Sequence, residues 1–315
     1  FTLQGRRRIT AGDRSARTFA VSKQQNNSSM KLKLTSLLVA SLALVGCNKQ
    51  NQVTNSTDST MNQKEQVVAL LKSIETGESA PVAVINPEKY IQHNPSIKDG
   101  LAGFGEALAA LPAGSARVHT VRVLRDGDFV IAHTDYNFFG PKIGFDIFRF
   151  ENGKIVEHWD NLQEKPATAN PSGHSMIDGT TEVKDLDKTE ANKKLVAQFV
   201  SDVLQGNAPE KLTNYFDGDK YIQHNPAIAD GLSGLGAALE AMAKQGIAMT
   251  YDRVHKVLGE GNFVLAISEG NFAGKAVTFY DLFRVEAGKI AEHWDVVEPV
   301  LPADQHQNKN GKFGF

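Results

Sequence analysis

The sequence predicts an α+β fold that occurs twice along the 315-residue chain. A six-residue block, Tyr-Ile-Gln-His-Asn-Pro, lies at residues 90–95 and recurs 131 residues later at residues 221–226. In each copy, residues with helical spacing come first and β-rich runs follow, an order typical of helices packed on an antiparallel sheet. Solenoid units repeat every ~20–50 residues, so this much longer repeat indicates a duplicated domain.

Further blocks recur in the same order in both copies. They pair residues 99–101 with 230–232, 126–130 with 260–264, 146–150 with 281–285, 153–155 with 288–290, and 157–160 with 292–295. The last pair reads Glu-His-Trp-Asp in both copies and contains both tryptophans of the chain. The shared order indicates that the whole domain is duplicated.

Two amphipathic helices are predicted near the start of each copy. Their apolar residues recur at intervals of three and four, as on one face of an α-helix. In the first helix these residues are Val67, Leu70, Leu71 and Ile74, or Val196, Phe199, Val200 and Val203 in the second copy. Gly77 or Gly206 ends that helix. In the second helix they are Leu101, Phe104, Leu108 and Leu111, or Leu232, Leu235, Leu239 and Met242.

A short strand between the two helices contains the repeated block. It stops at Pro95 or Pro226, because proline cannot donate to a strand ladder. The tight-turn sequence at residues 151–154 predicts a hairpin near the end of the first copy. In that copy the remaining strands are expected at residues 117–124, 128–138, 144–151 and 154–163.

The first 46 residues are predicted to be a leader, with a signal peptide at residues 30–46. Lys31 and Lys33 form its basic region, and an apolar run at residues 34–46 precedes Cys47. A membrane-spanning helix needs about 20 apolar residues, so this run is too short to span. The leader holds eight basic residues and one acid, and its removal changes the formal charge from −2 to −9. Such a chain lacks the basic footprint of a nucleic-acid-binding protein.

Composition divides the rest of the chain into domains and connecting segments. The polar residues after Cys47 predict a flexible tether, and the polar C-terminal tail is expected to be disordered. The expected boundaries are a tether at 47–62, a first domain at 63–163, a linker at 164–188, a second domain at 189–300 and a tail at 301–315.

The last strand of each copy places an acid and a histidine on one face. Because side chains alternate along a strand, His158 and Asp160 share one face, while Glu157 and Trp159 share the other. Asp146 on the partner strand reaches the same concave side as His158 if the hairpin register is tight. Burial and a neighbouring carboxylate raise the pKa of a carboxyl group, which suits it to acid/base catalysis. The second copy repeats the set as Asp281, His293 and Asp295.

Together these blocks resemble the SnoaL-like polyketide cyclase family, which belongs to the superfamily of nuclear transport factor two and ketosteroid isomerase. The resemblance spans about residues 65–163 and 192–298. It implies two tandem cone-shaped domains, each a curled antiparallel sheet wrapped around N-terminal helices. The superfamily hosts isomerases, cyclases, hydrolases and non-catalytic binding modules, so the fold alone does not specify an activity.

The resemblance also implies roles for particular residues. Asp160 and Asp295 resemble the cyclase acid/base, and Asp146 and Asp281 resemble the carboxyl that hydrogen-bonds the substrate oxyanion. The implied reaction is proton abstraction next to a carbonyl of a small hydrophobic compound, by an aldol-type cyclase or isomerase without cofactor or metal. The other candidate catalytic residues are His93, His224, His158 and His293, and the substrate pocket is expected to include Asn94, Asn225, Phe148, Phe283 and Tyr136.

Each candidate also has a purely structural interpretation. Asp160 and Asp295 could bond a neighbouring strand, and Asp146 and Asp281 could pair with an arginine. His93 and His224 could anchor the turn before proline, and His158 and His293 could fill the pocket wall. The two tryptophans are expected in the core or between the domains.

The sequence Leu44-Val45-Gly46-Cys47 resembles the lipobox of bacterial lipoproteins. The resemblance implies lipid attachment at Cys47, and Asn48 favours an outer-membrane protein that faces the periplasm. The alternative function is therefore a non-catalytic lipoprotein that binds a small molecule or a partner. In either case the two domains are expected to pair as a pseudo-dimer within one chain.

Overall fold

Residues 61–315 are described by the computed structural model, and they form two five-stranded sheets with their associated helices. The predicted α+β class is confirmed. The predicted signal peptide, the lipid attachment point at Cys47 and nearly all of the tether lie outside the described residues. Over residues 61–315, the helices are too short or too polar to cross a membrane.

The first copy contains two helices and five strands. Helix α1 spans Gln63–Thr76 and α2 spans Gly100–Ala109. The strands are β1 (Ile91–Gln92), β2 (Arg117–Asp126), β3 (Phe129–Asn137), β4 (Pro141–Glu151) and β5 (Lys154–Glu164). A 3₁₀ turn at Ala80–Val84 follows α1.

The second copy repeats this order. Helix α3 spans Thr189–Phe199 and continues into a π-helical turn at Val200–Leu204, and α4 spans Gly231–Lys244. The strands are β6 (Ile222–Gln223), β7 (Met249–Glu260), β8 (Phe263–Phe272), β9 (Lys275–Glu286) and β10 (Lys289–Pro299). Short 3₁₀ turns lie at Leu186–Lys188, Pro209–Tyr215 and Ala303–Gln305.

The two sheets have the same strand order. It is β1-β5-β4-β3-β2 in the first and β6-β10-β9-β8-β7 in the second. The two-residue edge strands run parallel to their neighbours, and the other pairs are antiparallel. In the β4–β5 hairpin, Asp146 lies directly opposite Asp160, and in the β9–β10 hairpin Asp281 lies opposite Asp295.

Local sequence explains where α1 begins and ends. The Asn62 Oδ1 atom accepts from the backbone N of Glu65 at 3.1 Å, and the Glu65 side chain accepts from the Asn62 N at 2.8 Å. This capping box satisfies two of the free N–H groups at the helix start. Gly77 ends the helix in the left-handed region with φ +74°, which costs a glycine little.

Each sheet buries both of its faces. One face of the first sheet packs on its helices, where Leu70 and Leu71 of α1 meet Val130, Phe148 and Phe150. The opposite face packs against the second sheet in a shared core. Its largest members are Phe145, Ile147 and Trp159 from the first sheet and Phe263, Tyr280 and Trp294 from the second.

A buried side chain also bonds the two sheets together. Asn161 of β5 is fully buried and donates from Nδ2 to the backbone oxygens of Thr278 at 3.1 Å and Val296 at 2.7 Å. These bonds satisfy the amide nitrogen of Asn161, which would be costly to bury without partners.

The predicted disorder of the C-terminal tail is wrong. Asn308 and Lys312 are buried, and the ring of Phe315 stacks on Trp159 with 4.6 Å between centroids. Asn308 Nδ2 donates to the backbone oxygens of Asn94 at 2.7 Å and Ile97 at 2.9 Å. The polar tail is ordered because its side chains find hydrogen-bond partners in the first copy.

The linker makes the matching contacts with the second copy. Asn170 Nδ2 donates to the backbone oxygens of Gln223 at 2.6 Å and Ile228 at 3.0 Å. The segment that follows the first copy therefore covers the second, and the segment that follows the second copy covers the first.

Candidate functional site

The first copy brings three predicted site residues together on one face. His158 Nε2 lies 3.1 Å from Asp146 Oδ1, and Asp160 lies opposite Asp146 on the paired strands. All three residues are at least nine-tenths buried. Alternation along the last strand predicted that His158 and Asp160 share a face. The register of the β4–β5 hairpin adds Asp146 to that face.

Neighbouring side chains fix this cluster in place. Tyr136 donates from its hydroxyl to Asp146 Oδ2 at 2.6 Å, and Asn94 Nδ2 donates to Asp160 Oδ2 at 2.7 Å. The other ring nitrogen of His158, Nδ1, lies 3.0 Å from Gln92 Oε1. Because Gln92 Oε1 can only accept, Nδ1 is the donor in this contact. Among the carboxylate oxygens and ring nitrogens of this cluster, only Asp160 Oδ1 has no hydrogen-bond partner within residues 61–315.

The cluster forms the polar end of a cavity of about 480 Å³. Its walls come mainly from α1, α2 and the β3–β4 turn and are largely apolar, with Leu70, Leu71, Phe104, Leu108, Phe138 and Phe148 among them. Ligand pockets are typically ~300–1,000 Å³ and apolar with a few convergent polar groups. The size and lining suit a small hydrophobic molecule with one polar end.

The predicted pocket residues lie at the cavity as expected in the first copy. Asn94, Tyr136 and Phe148 line it, and the ring of Phe148 stacks on His158 with 4.7 Å between centroids. Burial raises the pKa of Tyr136 well above its usual range, and the Asp146 charge raises it further. Tyr136 therefore stays protonated at neutral pH and donates to Asp146.

The second copy repeats the cluster. His293 Nε2 lies 3.0 Å from Asp281 Oδ1, His293 Nδ1 lies 3.0 Å from Gln223 Oε1, and Asn225 Nδ2 donates to Asp295 Oδ2 at 2.7 Å. Phe283 stacks on His293 with 4.7 Å between centroids. The duplication thus preserves the geometry as well as the sequence blocks.

A tyrosine reaches the acid in both copies, but from different strands. Gly270 occupies the position of Tyr136, and a Cβ there would collide with the backbone oxygen of Thr250. Tyr251, the residue opposite Gly270, donates instead to Asp281 Oδ1 at 3.3 Å. Aligning the two copies position by position does not reveal this exchange, because Tyr136 and Tyr251 lie on different strands of their sheets.

Burial changes the protonation of the second cluster. It raises the pKa of Asp295, and the charge of Asp281 raises it further against the opposing charge of His293. Burial by itself would lower the pKa of His293, but the hydrogen bond to Asp281 and the charges of both acids raise it overall. In the second copy the pKa values of Asp295 and His293 are therefore both shifted upward, the first mainly by burial and the second by the two acids.

The structure does not place His93 and His224 with the other candidates. His93 stacks on Trp159 with 4.6 Å between centroids, and its Nε2 lies 3.0 Å from Glu157 Oε1. His224 does the same with Trp294 and Glu292, at 4.6 Å and 2.9 Å. Strand alternation explains the correction, because the adjacent Gln92 and Gln223 face the clusters. These contacts place the two histidines in packing and hydrogen-bond networks outside the clusters.

The acids that hold these two histidines are themselves in ion pairs. Arg284 Nε lies 2.6 Å from Glu292 Oε2, and Arg149 Nε lies 2.6 Å from Glu157 Oε2. Burial would raise the pKa of Glu292, but the hydrogen bonds from His224 and Arg284 outweigh it and lower that pKa to about 2. These networks are structural.

Both tryptophans lie in the core between the sheets. Phe315 covers the outer face of Trp159, whereas the guanidinium carbon of Arg122 lies 4.2 Å from the ring centroid of Trp294. Burial lowers the pKa of Arg122 to about 10, against the charges of Glu292 and Asp178. The expected packing role of the tryptophans agrees with these positions.

The sequence did not identify four residues at the first site. Gln92 and Tyr90 are in the repeated block, so their recurrence was an available signal. Glu298 lines the first cavity although it belongs to the second copy, and Lys312 reaches Asp160 from the tail. Only the pairing of the two copies brings these last two to the site.

Among residues 61–315, three sets of side chains have a composition and spacing that could hold a metal ion. They are the clusters Asp146–His158–Asp160 and Asp281–His293–Asp295, and a set made of His174 and Asp178 from the linker with His224. In the first two sets the histidine nitrogen that would ligate already lies against an aspartate oxygen. That the protein works without a metal stays a prediction from its sequence.

Comparison with known proteins finds a family model that is similar to the second copy. Residues 196–293 match the model of the family described as "SnoaL-like domain". No curated protein matches the chain.

Several solved structures are similar to about a third of the chain. One is a provisionally assigned ketosteroid isomerase from Kribbella flavida, 13% identical, with TM-score 0.30 over 36% of this chain and 83% of that one. Another is a provisionally assigned SnoaL-like polyketide cyclase from Shewanella denitrificans, 12% identical, with TM-score 0.29 over 34% and 90%. A LEH-like epoxide hydrolase from M. tuberculosis is 20% identical, with TM-score 0.28 over 35% and 85%.

Proposed function

We propose that this protein is a cofactor-independent acid/base enzyme that acts next to a carbonyl group of a small hydrophobic substrate. The observation that supports this most is the Oδ1 atom of Asp160, which has an ammonium 3.6 Å away but lacks a hydrogen-bond partner within residues 61–315. Asp160 lines an apolar cavity beside a second acid and a histidine. A carboxylate in such a place can accept a proton from carbon.

The proposed reaction begins with proton transfer from the carbon next to the carbonyl to Asp160 Oδ1. The electron pair of the broken C–H bond forms a C=C bond. The electron pair of the carbonyl double bond moves to the carbonyl oxygen, which gives an enolate. As the family resemblance implies, Asp146 in its protonated form would donate a hydrogen bond to this oxygen, and Tyr136 and His158 hold Asp146 in position. Donors already fixed in place stabilise such charge most, because they need not reorganise during the reaction.

The enolate then has two outcomes. Attack on a second carbonyl carbon of the same molecule forms a C–C bond and closes a ring, as in an aldol-type cyclase, and the proton on Asp160 passes to the alkoxide oxygen that this attack creates. Return of the proton from Asp160 to a different carbon gives an isomer. Both outcomes restore the Asp160 carboxylate, and neither needs a cofactor.

An exchange assay tests this function directly. We expect the protein to accelerate solvent deuterium exchange at the α-carbon of some members of a panel of hydrophobic β-keto and other enolisable compounds, measured by NMR in D₂O. The heat-denatured protein and a panel lacking α-hydrogens serve as controls. A rate equal to that of buffer for every compound would contradict the proposal.

The alternative is a lipoprotein that binds an apolar molecule without catalysis. The largely apolar cavity and the predicted lipid attachment at Cys47 favour it. Native mass spectrometry of the purified protein would reveal a bound molecule, and the absence of any ligand or thermal shift with small hydrophobes would contradict it.

Export as an outer-membrane lipoprotein is a separate proposal, supported by the leader sequence. We expect the protein expressed in a bacterium to partition into the detergent phase of Triton X-114 and to incorporate labelled palmitate. Cys47→Ser should abolish both. Equal partitioning of the variant and the unchanged protein would refute lipid attachment at this residue.

A further inference from the structure

A buried lysine from the C-terminal tail lies behind the first cluster. The Lys312 side chain is only 4% exposed. Its Nζ atom lies 2.5 Å from Glu298 Oε2 and 3.6 Å from Asp160 Oδ1, the carboxylate oxygen that lacks a hydrogen-bond partner. An ammonium group is rarely buried this deeply unless acids neutralise it. Here two carboxylates from different copies do so.

The second copy lacks this arrangement. The residue that corresponds to Glu298 is Gln163: the backbone N of Leu162 donates to Glu298 Oε2 at 3.3 Å, and the backbone N of Val297 donates to Gln163 Oε1 at 2.8 Å. Within residues 61–315, Asp295 has no lysine or arginine nitrogen within 4 Å, and its Oδ1 atom has no hydrogen-bond partner. The two clusters thus share their acids and histidines but differ in the charge behind them.

We propose that Lys312 is a positioning residue of the first site, whose ammonium beside Asp160 Oδ1 stabilises the negative charge on that carboxylate and so makes the first copy the active one. The proposal rests on the proposed acid/base function of that site. Lys312 does not itself line the cavity, so it acts through Asp160 rather than on the substrate.

Electrostatics at this distance supports the assignment. A cation within ~4–6 Å of a carboxyl favours its charged form, and water does not screen a contact buried this deeply. The charged groups that face Lys312 are Asp160 of β5 and Glu298 of β10. Burial and the Asp160 charge raise the pKa of Glu298, and the Lys312 ammonium opposes that shift.

The tail itself is held well enough to fix the ammonium. Asn308 is anchored to the turn that contains Asn94, Gly311 accepts from His93 Nδ1 at 2.7 Å, and Phe315 stacks on Trp159. Lys312 lies between these contacts. The side chain is therefore placed by the fold rather than by its two acidic partners alone.

Lys312→Met tests the proposal, because methionine has nearly the length of lysine and no charge. Lys312→Arg keeps the charge, and Lys309→Met is the matched control, since Lys309 is exposed in the same tail. We expect the acid limb of the pH profile of α-proton exchange to move up by ~1 pH unit or more in Lys312→Met. We expect it to stay in place in the two other variants.

A second measurement needs no substrate. Carbon-13 NMR of protein labelled at the aspartate carboxyl carbons follows the titration of Asp160, assigned from its loss in Asp160→Asn. Its midpoint should rise in Lys312→Met and fall in Glu298→Gln, which removes the neighbouring negative charge. The Glu298→Gln arm provides a test of opposite sign if Lys312→Met does not fold.

The outcomes separate this proposal from the proposed function. An Asp160 titration that is the same in Lys312→Met or Glu298→Gln as in the unchanged protein would overturn the role of Lys312. Shifts in the expected directions without exchange of any compound would support Lys312 and contradict the enzyme.

Discussion

Asp160→Asn is expected to lower the rate of α-proton exchange by ~10²–10⁴-fold, the usual contribution of a positioned general base. The amide has almost the same shape, and its oxygen can still accept from Asn94, so the site should stay folded. An amide cannot accept a proton from carbon at neutral pH. The loss should therefore appear mainly in kcat, with the cavity and its affinity for the substrate little changed.

Two further variants make this result specific. Asp217→Asn removes an exposed acid whose partner is Lys220, and it should leave the exchange rate unchanged. Asp295→Asn alone measures the share of the second copy, and the double variant gives the rate without either acid. Unchanged exchange in the double variant would show that neither aspartate is the base.

Trp159→Ala is expected to lower the free energy of unfolding by about 3–5 kcal/mol, the range for removing a large buried aromatic side chain. Trp159 is 1% exposed and lies between the rings of His93 and Phe315, at 4.6 Å from each. Its loss would leave a hole in the core between the sheets and remove the surface on which the tail ends.

Urea denaturation followed by circular dichroism measures this effect. Leu239→Ala is a suitable control, since Leu239 is 43% exposed on α4 and its loss should change the free energy of unfolding by only ~0.5 kcal/mol. A loss below ~1 kcal/mol in Trp159→Ala would contradict the tight packing of the Trp159 ring in the shared core.

Strand alternation predicts much of the site correctly. It places His158 and Asp160 on one face and Glu157 and Trp159 on the other, and the hairpin register adds Asp146. The same rule predicts that Gln92 and His93 point in opposite directions. The resemblance suggested His93 as a catalytic residue, but alternation from β1 onward turns its ring away from the cluster that Gln92 faces.

Other features depend on contacts between distant parts of the chain, which periodicity does not encode. The polar composition of the tail by itself predicts an exposed segment. Asn308 and Lys312 are nevertheless buried, because they bond to residues that are distant in the sequence. Glu298 reaches the first cavity only because the two sheets pack together. Tyr251 replaces Tyr136 across a strand pair, and this exchange is evident only once the register of β7 and β8 is known.

Each copy is covered by the segment that follows the other copy, and this arrangement bears on how such a chain could arise. A homodimer in which each subunit lays its C-terminal arm over its partner has two identical arms. Joining the two genes end to end turns one arm into the linker at residues 164–188 and leaves the other as the free tail. Mutation can then change one arm without the other, and Lys312 is a residue that such a fused gene could acquire on one side only.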